Sequence, residues 1–193
     1  MNLRNDLQLI YDWVPAGSHV LDLGCGKGEL LHALMNEKNC TGYGVEIDGN
    51  SVQAAIEHGV NVIQADLEKG LSIFADHSFD VIVLSQTLQA MKDTELILRD
   101  LTRIAKQAIV SFPNFGYWRN RLQIAFVGNM PVSERMPYHW YNTPNIHLCT
   151  LKDFELLCAK NKVAVLERAV MTGDKRIKYL HNCLGSLAFY RVG

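Results

Sequence analysis

The sequence lacks the features that mark membrane-spanning, secreted or zinc-binding proteins. It contains no apolar run of about 18 residues, so no membrane span is expected. Its N-terminus has no apolar core of a signal peptide. The five cysteines are Cys25, Cys40, Cys149, Cys158 and Cys183, and no two of them form a C-x-x-C pair. This odd and dispersed set predicts reduced thiols in the cytoplasm and argues against a disulfide framework or a zinc site.

The sequence also lacks a strong excess of charge. Its formal net charge is −1, so no global field favours nucleic acid or an anionic membrane. A length of 193 residues, with 48% hydrophobic and 20% charged residues and no internal repeat, is ordinary for a globular protein. We therefore predict a single domain over residues 1–193.

The most informative stretch is 19–29, HVLDLGCGKGE. Its apolar beginning predicts a strand buried on both faces, and an amphipathic helical pattern follows the three alternating glycines Gly24, Gly26 and Gly28. Glycine permits positive φ and close approach of a ligand to the backbone, and a helix N-terminus offers unpaired N–H groups. The order strand, glycine turn, helix predicts a nucleotide-type cofactor site, with a ligand-free structural turn as the alternative.

The spacing of the glycines narrows the ligand class. A dinucleotide-binding turn has its third glycine where Glu29 stands, and a carboxylate there would repel a pyrophosphate, which disfavours a nicotinamide cofactor. S-adenosylmethionine (SAM) has no phosphate but carries an ammonium and a sulfonium, which suit the acids Asp22 and Glu29. The stretch Val20–Gly28 resembles the first motif of SAM-dependent methyltransferases.

A second acid stands at the distance expected for ribose recognition. The segment 41–46 predicts a second strand that ends in Glu46, 22 positions after Gly24. An acid about 20 residues beyond the glycine turn binds ribose hydroxyls in Rossmann-like units, and its two oxygens allow a bidentate contact. The alternatives are a solvent-facing acid at Glu46, or Asp48 in its place, although Asp48 is typical of a helix N-cap.

The remaining pattern predicts strands at 60–66, 78–85, 107–112, 163–171 and 185–192, separated in part by helices. The resemblance implies a Rossmann-like α/β fold of the class I methyltransferases, with a mostly parallel seven-stranded sheet, helices on both faces and an insertion after strand 5. It also implies that Asp66 accepts the adenine amine and that the Leu67 amide meets an adenine nitrogen. The predicted residues for SAM or S-adenosylhomocysteine are Asp22, Gly24, Cys25, Gly26, Gly28, Glu46, Ile47, Asp66, Leu67, Ser85 and Gln86.

A catalytic base is missing from its usual place. Many small-molecule methyltransferases carry a histidine a few residues after the fourth strand, where this chain has Gln89, Ala90 and Met91. The Asn/Asp-Pro-Pro-aromatic motif of amino-group methyltransferases is also absent. We therefore identify no catalytic residue from the sequence.

Residues 113–149 form a predicted insertion over the cofactor pocket. This segment holds four of the five prolines and two of the three tryptophans, and a long irregular segment is more often functional than structural. The candidate substrate-binding or partner-binding residues are Tyr117, Trp118, Arg119, Tyr138, His139, Trp140 and His147. Aromatic and arginine side chains are typical of partner hot spots, whereas two histidines without other ligands make a poor metal site. In the alternative interpretation the aromatics only pack a long loop.

Four segments together resemble the MetW family of methionine biosynthesis over essentially the whole chain: DLGCGKG at 22–28, YGVEI at 43–47, FPNFGYW at 112–118 and YNTPNIH at 141–147. The resemblance implies a SAM-binding protein that partners and activates the homoserine O-acyltransferase MetX. Two functional hypotheses follow: a binding module that senses SAM, or a methyltransferase acting on a small molecule by proximity to the sulfonium.

Overall fold

A computed structural model describes residues 3–69 and 71–193, so Met1, Asn2 and Gly70 of the predicted domain lie outside the described residues. The strands are β1 His19–Leu23, β2 Thr41–Glu46, β3 Val62–Gln64, β4 Phe79–Ser85, β5 Ala105–Pro113, β6 Val165–Thr172, β7 Lys175–Arg176 and β8 Leu187–Val192. The α-helices are α1 Asn5–Trp13, α2 Glu29–Lys38, α3 Gly49–Glu57, α4 Thr94–Ile104, α5 Trp118–Leu122, α6 Leu151–Lys160 and α7 His181–Leu184. Short 3₁₀ turns occur at Leu67–Lys69 and Leu88–Ala90, and a π-helix at Gln123–Val127.

The strands form one sheet in the order β3-β2-β1-β4-β5-β8-β6-β7. The first five strands of the chain are parallel, and β8 is antiparallel to both β5 and β6. Strand order reverses at β1, which has β2 on one side and β4 on the other. Ligands in open α/β sheets bind beyond the carboxyl ends of the strands at such a switch point, so the fold directs attention to the ends of β1, β2 and β4.

Helices cover both faces of the sheet, as the sequence predicts. One hydrophobic cluster packs α1, α2 and α3 against one face. Helix α1 and the residues that flank it contribute Leu3, Leu7, Ile10 and Val14 to this cluster, at the spacing of one helical face. The other cluster packs α4 and α6 against the opposite face through residues such as Leu101 and Phe154. Because alternate strand residues point to opposite faces, the short apolar strands serve both clusters.

Local capping residues set several helix boundaries. Asp48 accepts a hydrogen bond from the Ser51 amide at 2.8 Å and so caps α3, as the sequence predicts. Thr150 and Asp153 form a capping box at the start of α6. Gly59, with φ of +76°, follows α3 at a position where a left-handed residue ends the helix.

The sheet differs from the prediction in the number and length of its strands. It has eight strands instead of seven, because the basic hairpin after β6 turns tightly enough for Lys175 and Arg176 to pair with β6. The third strand covers Val62–Gln64, shorter than the predicted 60–66, and pairs with β2 alone. The last strand begins at Leu187, since the preceding residues form α7 and its connection.

The insertion begins where β5 ends. Its first part is helical, as α5 and the π-helix, and its second part has little regular structure. Leu122, Ala125 and Phe126 lie in this helical part, but they do not pack inward: no residue of the π-helix is buried, and Phe126 is 82% exposed. The insertion therefore presents a large apolar surface to solvent.

The close approach of β2 to β1 gives a test of the fold. Gly42 has φ of +154°, and a Cβ there would overlap the carbonyl oxygen of Val20 on β1. We expect Gly42→Ala to lower the free energy of unfolding by about 3 kcal/mol or more, because strain and overlap add. Chemical denaturation measures the change. Gly59→Ala is the matched control: φ is also positive, but nothing lies within 4 Å, so it should cost only about 1 kcal/mol. Equal losses in both variants would contradict the overlap argument.

Candidate cofactor site

The glycine loop after β1 is folded onto the end of β2. The amides of Gly24 and Cys25 donate to the Val45 carbonyl at 2.8 and 3.2 Å, and the Gly28 amide donates to the Cys25 carbonyl at 3.0 Å. Gly24, Gly26 and Gly28 all have positive φ, which explains the alternating glycines. At Gly26 an added Cβ would meet nothing within 4 Å, so the loop is open to a ligand at this residue.

Glu46 connects the end of β2 to this loop. Its Oε2 accepts a hydrogen bond from the Gly26 amide at 2.9 Å, and its Oε1 accepts from the amides of Ile47 and Asp48 at 2.8 and 3.0 Å. The side chain is half-buried, and lone pairs of the carboxylate remain for a further donor. Glu46 thus holds the loop and faces the crevice at the same time.

One part of the crevice, the Asp22 pocket, lies between the glycine loop and α1 and has a volume of about 380 Å³. Its lining residues are Arg4, Leu7, Asp22, Cys25, Gly26, Lys27, Glu29, Leu30, Ser51 and Ser85. Asp22 is 3% exposed, and no described residue donates a hydrogen bond to its carboxylate. Burial, with a smaller effect from the Glu46 charge, raises the pKa of Asp22 to about 7. A buried carboxylate without a donor is suited to a cationic ligand group.

The other part, the Glu46 pocket, has a volume of about 300 Å³ and a more apolar lining. Its lining residues are Gly24, Val45, Glu46, Ile47, Ala65, Asp66, Leu67, Gln86, Thr87, Ala90 and Met91. Aliphatic side chains with two acids at the rim suit a flat heteroaromatic group bearing a polar sugar. The two pockets meet along the glycine loop and the end of β4.

The structure brings ten of the eleven predicted cofactor residues into these two pockets. Asp22, Cys25, Gly26 and Ser85 line the first, and Gly24, Glu46, Ile47, Asp66, Leu67 and Gln86 line the second. Gly28 lines neither; it precedes α2, where an added Cβ would crowd Val60 and Ala55. The residues predicted from the sequence and from the resemblance therefore lie together at the switch point of the sheet. The role of Gly28 is to let α2 start close to the core.

The Cys25 side chain is held inside the loop. Burial, followed by the charges of Asp22 and Glu46, raises the pKa of the Cys25 thiol to about 12, so it stays protonated at neutral pH. The thiol packs where a Cβ on Gly44 would stand. Cys25 therefore shapes the pocket and is not a reactive thiolate.

The sequence predicts an amphipathic N-terminal helix beside the cofactor's entrance, but it does not identify which of its residues reach the site. Arg4 and Leu7 line the Asp22 pocket. Asp6, only 4% exposed, accepts a hydrogen bond from Gln86 Nε2 at 2.9 Å and so joins α1 to the end of β4. Gln86 has φ of +52°, an uncommon conformation for a non-glycine residue. The helical periodicity of α1 predicts which side packs, but it carries no signal for contacts across 80 residues.

The predicted substrate-binding or partner-binding residues lie in separate places. Tyr117 and Arg119 line a small cavity beside β6, and Tyr138 and Trp140 line a different surface depression of about 210 Å³. Trp118 is 38% exposed beneath the Arg119 guanidinium, and His139 stacks on Tyr141. His147 contacts the Lys92 carbonyl through Nε2 at 3.1 Å. Among the described residues, none after Met91 lines either cofactor pocket. The insertion does contact Gln89 and Asp6, each of which is next in the chain to a lining residue.

The donor set fits SAM better than a phosphate-bearing cofactor. The amides of Gly24, Cys25, Gly26 and Gly28 are all bonded within the protein, so they are not free to bind a phosphate. The Asp22 pocket offers buried and acidic groups for an ammonium or sulfonium, and Arg4 and Lys27 offer cations for a carboxylate.

Residues 3–69 and 71–193 contain neither a metal-binding cluster nor a membrane-spanning helix. No group of three or more His, Cys, Asp or Glu side chains in these ranges is arranged to hold a metal ion. No helix there has the length and apolar character needed to cross a membrane.

Comparison with known proteins points to one family. The family model described as "Methionine biosynthesis protein MetW" matches residues 4–192. A bifunctional methionine biosynthesis protein MetXA/MetW of Rhodopirellula baltica is 34% identical over 184 residues, which is 91% of this chain and 30% of that protein. The chain thus spans about a third of the length of this relative.

Solved structures share the fold at low sequence identity. A SAM-dependent methyltransferase of Thermotoga maritima, described as a possible histamine N-methyltransferase, has a TM-score of 0.69 and 20% identity, covering 97% of this chain and 86% of its own. A SAM-dependent methyltransferase of Mesorhizobium loti has a TM-score of 0.71 and 14% identity, covering 97% of both chains. These likenesses establish the predicted class I methyltransferase fold.

The raised pKa of Asp22 predicts a pH dependence of stability. Because its pKa in the folded state, about 7, exceeds the value of about 4 in an unfolded chain, the native state binds more protons between these values. Titration of Asp22 therefore lowers the free energy of unfolding as the pH rises from about 4 to about 7. Because Asn does not titrate, we expect the free energy of unfolding of Asp22→Asn, relative to that of the wild type, to rise by on the order of 2 kcal/mol from pH 5 to pH 8. Urea denaturation measures this difference.

Asp12→Asn, a change at an exposed helical acid, is the matched control and should show no such trend. A constant difference between Asp22→Asn and wild type from pH 5 to pH 8 would contradict the prediction.

Proposed function

The chain belongs to the MetW family, and we propose that it is a SAM-binding accessory protein that binds and activates a homoserine O-acyltransferase of the MetX type. The observation that carries this proposal is the Rhodopirellula baltica relative, in which MetXA and MetW are parts of one polypeptide. Fusion holds two proteins at high effective concentration, which is of use when they act on each other.

The proposed cofactor is SAM or its demethylated product. In this proposal Glu46 accepts the ribose hydroxyls, while Asp66 and the Leu67 amide meet the adenine. Asp22, buried and without a donor among the described residues, faces the ammonium and sulfonium of the methionine part. Arg4 lines the same pocket, and we assign it to the carboxylate of the ligand.

The methyltransferase alternative has less support. Residues 85–91, which follow β4 at the cofactor-facing edge, read SQTLQAM and contain no acid, histidine, lysine or cysteine. Gln86 is engaged by Asp6, and Gln89 Nε2 donates to the Gln86 carbonyl at 2.6 Å. A proximity mechanism for a thiol or amine acceptor would not require a base there, but no observation favours it.

The regulatory role follows from the chemistry of the pathway. SAM is made from methionine, so a SAM pocket on the partner of an early biosynthetic enzyme is suited to feedback. By thermodynamic linkage, SAM changes the affinity for the acyltransferase by the same factor by which the acyltransferase changes the affinity for SAM. The thiols of all five cysteines are free, which supports the reducing cytoplasm as the site of action.

Replacing Glu46 tests the proposed cofactor site. We expect Glu46→Ala to abolish measurable SAM binding, because the ribose contact is lost and the Gly26 amide loses its acceptor. Calorimetric titration of SAM, with and without the acyltransferase, measures this, and a homoserine acylation assay reports the change in activation. Glu57→Ala, an exposed acid on α3, is the control and should bind SAM as wild type does. Full SAM affinity in Glu46→Ala would refute the assigned site.

Replacing exposed aromatics of the insertion tests the proposed partner surface. Trp140 is 73% exposed and Phe126 82% exposed, and large exposed aromatics are typical of interface hot spots. We expect Trp140→Ala and Phe126→Ala each to weaken the complex with the acyltransferase by about tenfold or more without loss of monomer stability. Biosensor affinity and thermal melting measure the two effects.

Leu156→Ala, a change at a leucine on α6 that is 69% exposed, is the control outside the insertion. A purified protein that neither binds the acyltransferase nor changes its rate would defeat the accessory role. Transfer of labelled methyl to an acceptor at an ordinary enzymatic rate would support the alternative instead.

A further inference from the structure

A second cavity lies apart from the cofactor crevice, between the insertion and the hairpin that follows β6. Its volume is about 120 Å³, less than a third of that of the Asp22 pocket. The residues that define it are Tyr117, Arg119, Asn120, Ser133, Glu134 and Arg135. On the hairpin side it is bounded by Gly173, where an added Cβ would meet nothing within 4 Å. We call it the Asn120 cavity.

The wall of this cavity holds a buried polar side chain with unused bonding capacity. Asn120 is 2% exposed, and its Nδ2 donates to the carbonyls of Asn114 and Phe115, both at 3.3 Å. No described residue donates to its amide oxygen. This oxygen is not among the side-chain atoms that are sealed from solvent without a partner, so it is open to the cavity. It can therefore accept a hydrogen bond from a ligand that enters there.

Charged groups of both signs surround the same space. Within the described chain, Arg119 has no ion pair and rests beside the Trp118 ring at 5.4 Å, and Glu134 has neither an ion pair nor a hydrogen bond to its carboxylate. Arg135 contributes a second guanidinium, whose nearest carboxylate is Asp6 at 3.8 Å. Two cations, one acid and the neutral groups of Asn120, Ser133 and Tyr117 therefore face one small volume.

We propose that the Asn120 cavity is a binding site for a free α-amino acid with a short side chain. The guanidinium groups of Arg119 and Arg135 bind the carboxylate, and Glu134 with the Asn120 oxygen accepts the protons of the ammonium. The volume excludes a nucleotide, and Glu134 would repel a phosphate. This site uses none of the residues assigned to SAM.

The cavity is connected to the cofactor crevice through charged and polar contacts. Arg135 Nη1 lies 3.8 Å from Asp6 Oδ2, and this same carboxylate oxygen accepts the hydrogen bond from Gln86 Nε2 at 2.9 Å. Gln86 lines the Glu46 pocket. An amino-acid carboxylate that draws Arg135 away from Asp6 changes the balance of charge at Asp6, and so reaches the wall of the cofactor pocket.

The test is calorimetric titration of the full chain with L-serine, L-homoserine and L-methionine, together with the decarboxylated and deaminated analogues of homoserine. We expect L-serine or L-homoserine to bind with a stoichiometry of one, and L-methionine, whose side chain is longer, to bind more weakly. We expect both analogues to bind about tenfold more weakly or worse, because each lacks one charge of the zwitterion. Arg119→Ala and Glu134→Gln should each weaken amino-acid binding by a similar factor. Arg99→Ala, at an exposed arginine on α4, is the charge-matched control and should leave it unchanged.

Glu46→Ala distinguishes this site from the cofactor pocket, whose methionine-binding end could accept the same amino acids. Binding that persists in Glu46→Ala and is weakened in Arg119→Ala supports the Asn120 cavity. Binding that is lost in Glu46→Ala and kept in Arg119→Ala places the amino acid in the cofactor pocket and overturns the proposal. The proposal is also overturned if none of the three amino acids binds. That outcome does not bear on the proposed SAM site, because SAM binding is measured separately.

Discussion

The candidate site depends on the contact between the glycine loop and the end of β2. The Val45 carbonyl accepts from two loop amides, and the Glu46 carboxylate accepts from a third, at Gly26. These bonds form because glycines at 42 and 44 let β2 and the loop approach β1 closely. The same bonds occupy amides that a phosphate-binding loop would leave free, so ligand recognition passes to side chains and to the open face at Gly26. The backbone bonding therefore supports the proposal of a ligand without phosphate.

Much of this arrangement is predictable from sequence because it rests on local patterns and fixed spacing. Short apolar runs predict the parallel strands, and the distance from Gly24 predicts that Glu46 reaches the crevice at the end of β2. The bond from Gln86 to Asp6 and the Asn120 cavity are not predictable in this way. They join segments that lie far apart in the chain and have no periodicity, and their positions depend on how loops pack after the sheet has formed.

The arrangement of the aromatic side chains of the insertion is also not predictable from the sequence. Its composition predicts an unusual segment, but composition does not say whether Trp118, Tyr138 and Trp140 share one surface. In the structure they do not all meet, since Tyr138 and Trp140 share one depression and Trp118 lies by Arg119. The apolar side chains of the π-helix remain exposed, since none of its residues is buried among the described residues. A surface of this kind is costly in water unless a partner covers it, which is why it favours an interface over a packed loop.

The end of β4 is where these regions meet. Gln86 lines the cofactor pocket, its side chain donates to Asp6 on α1, and its carbonyl accepts from Gln89. The Gln89 carbonyl in turn accepts from the amides of Ile146 and His147 in the insertion, at 2.8 and 2.9 Å. In many methyltransferases this strand end presents a base to the methyl acceptor. Here the corresponding residues are engaged in contacts with α1 and the insertion. A ligand that shifts Gln86 therefore acts on two segments that could contact a partner, and this gives the proposed SAM pocket, which has no base, a physical means of regulation.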